Sequence, residues 1–336
     1  MKKLTAVLLA GVMALGLGTA VFAEEASTEA VTEAAAESHY PVTITTYNHN
    51  QEPIEITFEK APERVIAYGN SNVEAMLKLG LSDKIVLACG LDGEVKDEFK
   101  DDFDKLDYVD GLVGKEDAVA LEPDFIAAWY SSFADDRLSD VDFWHERGCN
   151  TYMSLNSACM GPASEFPRKM EYEFQDILNL GAIFDCEDEA QAIVDEMQSE
   201  IDKVKEFTTD QTPLTVAVLE NEGDSFRVYG TETLGGNIPE SLGAELKLGA
   251  ENSENVGAED LIAADPDVLF MVDYDGFKTG EEAVADITED PAYASLSAVQ
   301  NGKVFSINLS QIYCSGIRTY DGIMTFATAL YPDLYE

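Results

Sequence analysis

Side chains able to do chemistry are sparse in this chain. It has three histidines (His39, His49, His145) and five cysteines (Cys89, Cys149, Cys159, Cys186, Cys314). The histidines are too few and too scattered for a dedicated zinc or manganese cage, so neither a metal site nor a resident cofactor is expected. An odd cysteine count without a C-x-x-C pair is no disulfide framework, and no pairing is expected. There is no G-x-S-x-G elbow, and His145 stands in a charged helical stretch. A nucleophile with its base is therefore lacking, and no enzymatic activity is expected. Gly235-Gly236 has the look of a phosphate loop, but neighbouring glutamates argue against an anion there. The most suggestive acid is Glu74, in "YGNSNVEAMLKLG" (68–80). Ser71-x-x-Glu74 has capping-box spacing, and a first-turn acid suits the helix dipole.

The elements that hold these residues follow from pattern. The sequence repeats itself: "VGKEDAVALEPDF" (113–125) and "VGAEDLIAADPDV" (256–268) share seven of thirteen positions at an offset of 143. Each copy reads as a short helix, a Pro-Asp turn and an apolar strand, "FIAAWY" (125–130) or "VLFMVD" (268–273). Continuous apolar runs suit strands buried on both faces of a parallel sheet. Before each copy stands another strand, "RVIAY" (64–68) or "TVAVLE" (215–220), then a glycine-bearing segment and a helix. Both halves are thus α/β units with crossover helices. Between them, 186–207 carries an apolar stripe at Ala190, Ile193, Val194, Met197, Ile201 and Val204, with no glycine or proline. That predicts one unbroken helix about 30 Å long. The expected fold is two Rossmann-like α/β lobes, 41–185 and 208–336, joined by a single long helix, with a ligand cleft between them. Segment 42–65 alternates around "NHNQEP", the pattern of a hairpin.

Of 336 residues, 46% are hydrophobic, enough for two cores. Residues 1–23 read as a signal peptide, with Lys2 and Lys3 ahead of a short apolar run and Val21-Phe22-Ala23 as the cleavage site. Residues 24–40, acidic and of low complexity, are expected to form a disordered spacer. Removing the signal leaves 19 basic against 65 acidic residues, a charge of −46. That excludes nucleic acid and anionic membrane surfaces as partners, and no membrane insertion is expected after cleavage.

Taken in order, several stretches carry a resemblance: the hairpin leading into "APERVIAYGNSNVEAMLKLGL", then "LEPDFIAAW", "RGCNTYMSLN", "DILNLGAIFDCEDEAQAIVDEMQSEI", "ADPDVLFMV" and "SAVQNGKVFSINLSQIYCSGIRTYDGIMTFATALYPDLY". Over about 42–336 the chain resembles the bilobed, helix-linked substrate-binding proteins of ABC importers for iron–siderophores, haem and cobalamin. The resemblance implies a monomer that captures a small-molecule metal chelate and delivers it to a permease and its ATPase. The low histidine count favours a ferric siderophore, with haem or cobalamin as the alternative and a secreted adhesin or sugar-binding module as a more distant one. For haem, Tyr68, Tyr130 or Met153 can serve as axial ligand. The resemblance places the ligand against Tyr68, Asn70, Trp129, Tyr130, Arg227, Tyr229, Tyr274 and the segment Tyr313 to Arg318. It also implies that Glu74 and Glu240, one on the rim of each lobe, meet permease arginines through charge-assisted bonds. The family's single-membrane members usually carry a lipobox cysteine; here the first cysteine is Cys89. The protein is therefore expected in a periplasm, at the cell surface, or released.

Overall fold

The computed structural model describes residues 39–159, 167–249, 255–274 and 277–336. The signal peptide and most of the acidic segment lie outside them. The hairpin forms as its alternation predicts: β1 (Val42–Tyr47) pairs antiparallel with β2 (Pro53–Phe58). Next come β3 (Val65–Tyr68), β4 (Ile85–Cys89), β5 (Tyr108–Val109), β6 (Phe125–Ala128) and β7 (Asn150–Met153), a parallel sheet in the order β5-β4-β3-β6-β7. The second sheet contains β8 (Thr215–Asn221), β9 (Phe226–Val228), β10 (Glu245–Leu246), β11 (Val268–Asp273) and β12 (Val304–Asn308). Its parallel order is β10-β8-β11-β12, and β9 lies antiparallel on β8. The two repeat copies occupy matching places. Helix Lys115–Ala120 feeds β6 beside β3, and helix Ala258–Ala264 feeds β11 beside β8. All four residues of β6 are buried, as are the first five of β11, which explains why neither strand alternates.

The predicted long helix is Glu187–Thr208, falling between the last strand of one sheet and the first of the next. The six residues of its apolar stripe are its buried residues. It follows helix Met170–Phe184 through Asp185, which takes the left-handed conformation at φ 55°. One expectation needs correction at the start of the fold. His39 and Tyr40, assigned to the spacer, are packed: His39 Nε2 bonds the Ala182 carbonyl and Tyr40 Oη donates to that of Ile183, both at 2.8 Å. No helix among the described residues is long and apolar enough to cross a membrane.

Candidate functional site

The carboxyl ends of both sheets open on one cavity of about 280 Å³. Asn70 and Ser71 follow β3, Asp92 follows β4, and Trp129 follows β6. From the other side come Glu220 on β8, Arg227 on β9, Tyr274 after β11, and Asn308 to Ser310 with Tyr313 to Ser315 on the run off β12. In both sheets the strand order reverses where these loops emerge, between β3 and β6 and between β8 and β11. Loops leaving such a point in opposite directions leave a crevice between them.

Asn70, Trp129, Arg227, Tyr274 and Arg318, singled out from sequence, all line this cavity; Tyr68, Tyr130 and Tyr229 do not. Tyr68 packs edge-on against Trp129, ring centroids 6.0 Å apart. Tyr130 stacks on His49 at 4.5 Å. Tyr229 is buried, and its hydroxyl donates to Glu220 Oε2 at 2.8 Å, so it positions a lining residue instead of lining the cavity itself. Burial raises its phenol pKa well above the usual range. Met153, a candidate axial ligand, is fully buried in the first lobe.

Local bonds fix the walls. Trp129 Nε1 donates to Ser71 Oγ at 2.9 Å. Asn70 clamps the loop after β4, accepting from the Asp92 amide at 2.9 Å and donating to the Gly93 carbonyl at 3.2 Å. Desolvation raises the Asp92 carboxyl above its ordinary pKa. The Arg227 guanidinium has Glu220 at 3.8 Å and the Tyr229 ring beneath it, and the side chain as a whole remains 41% exposed. Tyr313 faces Trp129 edge-on at 6.5 Å, with the Arg168 guanidinium over its ring at 5.0 Å. The sequence reading missed Ser71, Asp92, Glu220, Asn308 and Ser310. The signal that finds them is position alone, at or just past a strand's carboxyl end.

Glu74 departs furthest from expectation. Helix Gly69–Lys78 begins after Tyr68 with no side-chain cap, so Glu74 lies in its interior and the Ser71–Glu74 spacing makes no capping box. Nor does it stand on an exposed rim, for it is 0% exposed. Its carboxylate takes a bidentate grip from Arg318, Nε to Oε2 at 2.7 Å and Nη2 to Oε1 at 2.6 Å, and accepts the Lys96 amide at 2.9 Å. Arg318 also donates to Ser310 Oγ and the Glu94 carbonyl. Arg318 therefore lines the cavity with its donors turned to protein acceptors.

Arg318 belongs to a segment that leaves β12 and crosses to the first lobe. There Gly316 takes φ +56°, and a Cβ on it would stand 2.9 Å from the Ser71 carbonyl oxygen, so only glycine fits this approach. The Gly316 amide donates to Glu173, fully buried on helix Met170–Phe184, whose other oxygen accepts from Asn156 at 2.7 Å. Glu240 differs from its proposed counterpart. It is half-buried in the last turn of helix Leu234–Ser241, away from the helix start, with Thr231 Oγ1 at 3.3 Å.

Known proteins share this architecture. The periplasmic binding protein family model matches residues 65–309. The uncharacterized ABC transporter substrate-binding lipoprotein YvrC of Bacillus subtilis is 23% identical, over 98% of this chain and 97% of its own. The ferric-anguibactin-binding protein FatB of Vibrio anguillarum is 27% identical over 41% of this chain and 44% of its own. A periplasmic binding protein from Veillonella parvula superposes with TM-score 0.80 at 31% identity, covering 88% of this chain and 93% of its own. With two α/β sheets meeting at one cleft and a family match across most of the folded chain, the protein belongs to the periplasmic binding proteins, the substrate-binding components of ABC importers.

Proposed function

We propose that the cleft captures a ferric chelate of the siderophore class and that the loaded protein delivers it to the permease. The observation that carries this reading is the convergence of the half-open Arg227 guanidinium with the rings of Trp129, Tyr274 and Tyr313 on one cavity. A guanidinium pairs with an anionic chelate, and aromatic faces pack on its organic shell. A chelate arrives with its iron already coordinated, so it needs contact surfaces and no metal ligands from the protein. The similarity to a ferric-anguibactin-binding protein supports the same class. The axial ligands named from sequence for haem, Tyr68, Tyr130 and Met153, are not among the lining residues, whereas Tyr274 and Tyr313 are, so haemin belongs in the ligand panel.

The chain's two tryptophans make the test direct. Trp129 lines the cavity and Trp144 is buried in the core. Ferric siderophores, haemin and cobalamins are titrated while fluorescence is followed. The expected result is saturable quenching by an anionic ferric siderophore, lost in Trp129→Phe and shifted tenfold or more by Arg227→Ala, the worth of a charged hydrogen bond. Saturation by haemin or a cobalamin alone, or an affinity indifferent to Arg227→Ala, overturns the anionic-chelate reading.

A further inference from the structure

Remote from the cleft, the start of the fold meets the turn between helices Met170–Phe184 and Glu187–Thr208. There His39 Nδ1 lies 3.3 Å from Asp185 Oδ1 and 3.1 Å from Glu187 Oε1. Oxygen and nitrogen atoms from the three residues all lie within 4.8 Å of one another. We propose that His39, Asp185 and Glu187 form a binding site for a borderline divalent cation such as Zn²⁺, which clasps the amino-terminal arm to the junction of the two helices.

Three observations carry the proposal. The first is the tautomer. His39 Nε2 stands 2.8 Å from the Ala182 carbonyl, which can only accept, so Nε2 carries a proton. In the neutral imidazole the Nδ1 lone pair then faces the two carboxylates, the arrangement in which a carbonyl beyond the metal orients a histidine ligand. The second is spacing. A cation bound at about 2.1 Å holds neighbouring ligand atoms about 3.0 Å apart in an octahedron and 3.4 Å in a tetrahedron. The two separations from His39, 3.1 and 3.3 Å, fall in that interval, and the Asp185 and Glu187 oxygens lie within 4.8 Å of each other. Both exceed the ~2.7–2.9 Å of a charge-assisted N–H···O bond. A protonated Nδ1 also has a single hydrogen for two oxygens, whereas one cation serves all three groups. The third is support. Tyr40 Oη is tied to the Ile183 carbonyl, its ring edge-on to His39, so the histidine is seated before any ion arrives. The carboxylates are half-exposed, with solvent-exposed fractions of 59% and 50%, leaving coordination positions for water. Imidazole among the ligands favours zinc, nickel or copper over Mg²⁺ and Ca²⁺, which take oxygen.

The test is calorimetric titration of Zn²⁺ into the full chain, in millimolar Mg²⁺ to occupy non-specific acidic surface. One saturable equivalent is expected, weakened at least tenfold by His39→Gln and severalfold by Asp185→Asn and by Glu187→Gln. Asparagine tolerates the left-handed backbone of Asp185, so that variant should keep its fold. Co²⁺ gives a second readout, a visible d–d band that disappears in His39→Gln. If His39→Gln melts early, the Glu187→Gln comparison decides. Absence of a saturable site above the Mg²⁺ background, or equal Zn²⁺ affinity in wild type and in the folded variants, overturns the proposal and leaves His39 with a packing role at the helix junction.

Discussion

Replacing Glu74 with alanine would strand the Arg318 guanidinium, whose side chain is 10% exposed, beside an empty space where it had a bidentate partner. Removing one member of a buried, hydrogen-bonded ion pair costs about 3–5 kcal/mol, because the remaining charge keeps its desolvation penalty. The Lys96 amide loses its acceptor as well. For a folded unit of this size, the usual unfolding entropy per residue converts that loss to a fall in Tm of about 5–8 °C. Thermal and urea unfolding followed by circular dichroism would measure it. Arg318→Ala and the double variant complete a cycle, and the double should be more stable than the summed single losses by at least ~2 kcal/mol. The same proteins bear on binding. Glu74→Ala removes the guanidinium's counter-charge at the cavity wall while its bonds to Ser310 and the Glu94 carbonyl remain, so an anionic chelate should bind no more weakly. A Tm within a degree of wild type, together with additive singles, would refute the reasoning and return Glu74 to a solvated surface role.

Stability should fall with pH across a window set by Glu173. Burial raises its carboxyl from 4.5 to about 7, so between those values the folded state holds a proton that the unfolded state has released. The contribution is largest at the acid end and is lost as pH rises through 7, with the buried Asp176 carboxyl beside it raised in the same direction; comparing urea midpoints of wild type and Glu173→Gln from pH 4.5 to 8 should show a steeper decline in wild type. Glu240→Lys should leave chelate affinity within about twofold and cut uptake or ATPase stimulation by the permease, since like charges across an interface cost several kcal/mol; normal transport would remove Glu240 from the docking surface. Small-angle scattering with and without ligand should show only a modest change in radius of gyration, because the Glu74–Arg318 and Glu173–Gly316 contacts join the segment after β12 to the first lobe; a large drop would mean that these contacts break and re-form.

What the sequence disclosed was local or repeated. The apolar runs at 125–130 and 268–273 announced two central strands because both faces of each are covered, and the stripe at 190–204 fixed one face of the long helix. Aromatic and arginine residues near strand ends located part of the cavity, through Trp129, Arg227, Tyr274, Tyr313 and Arg318. Glu74 misled because its meaning lies 244 residues away, in Arg318, and no spacing reveals such a partner. Ser71 looked like a helix cap, yet its hydroxyl receives the Trp129 indole. Asp92 and Ser310 have ordinary neighbours in sequence and become cavity residues only when the two sheets face each other. His39 was read as part of a loose acidic leader, since nothing nearby in sequence marks Ala182, Asp185 and Glu187 as its neighbours.

The close approach of Gly316 to the Ser71 backbone bears on how uptake is metered. A joint held this tightly would leave the empty molecule little different in outline from the occupied one, the outcome expected of the scattering comparison. A membrane partner that recognises the outline would then engage both forms with comparable strength. Empty copies would compete with loaded copies for the same entrance. Uptake would follow the fraction of copies that are occupied instead of the total number made, and overproduction during scarcity would slow import.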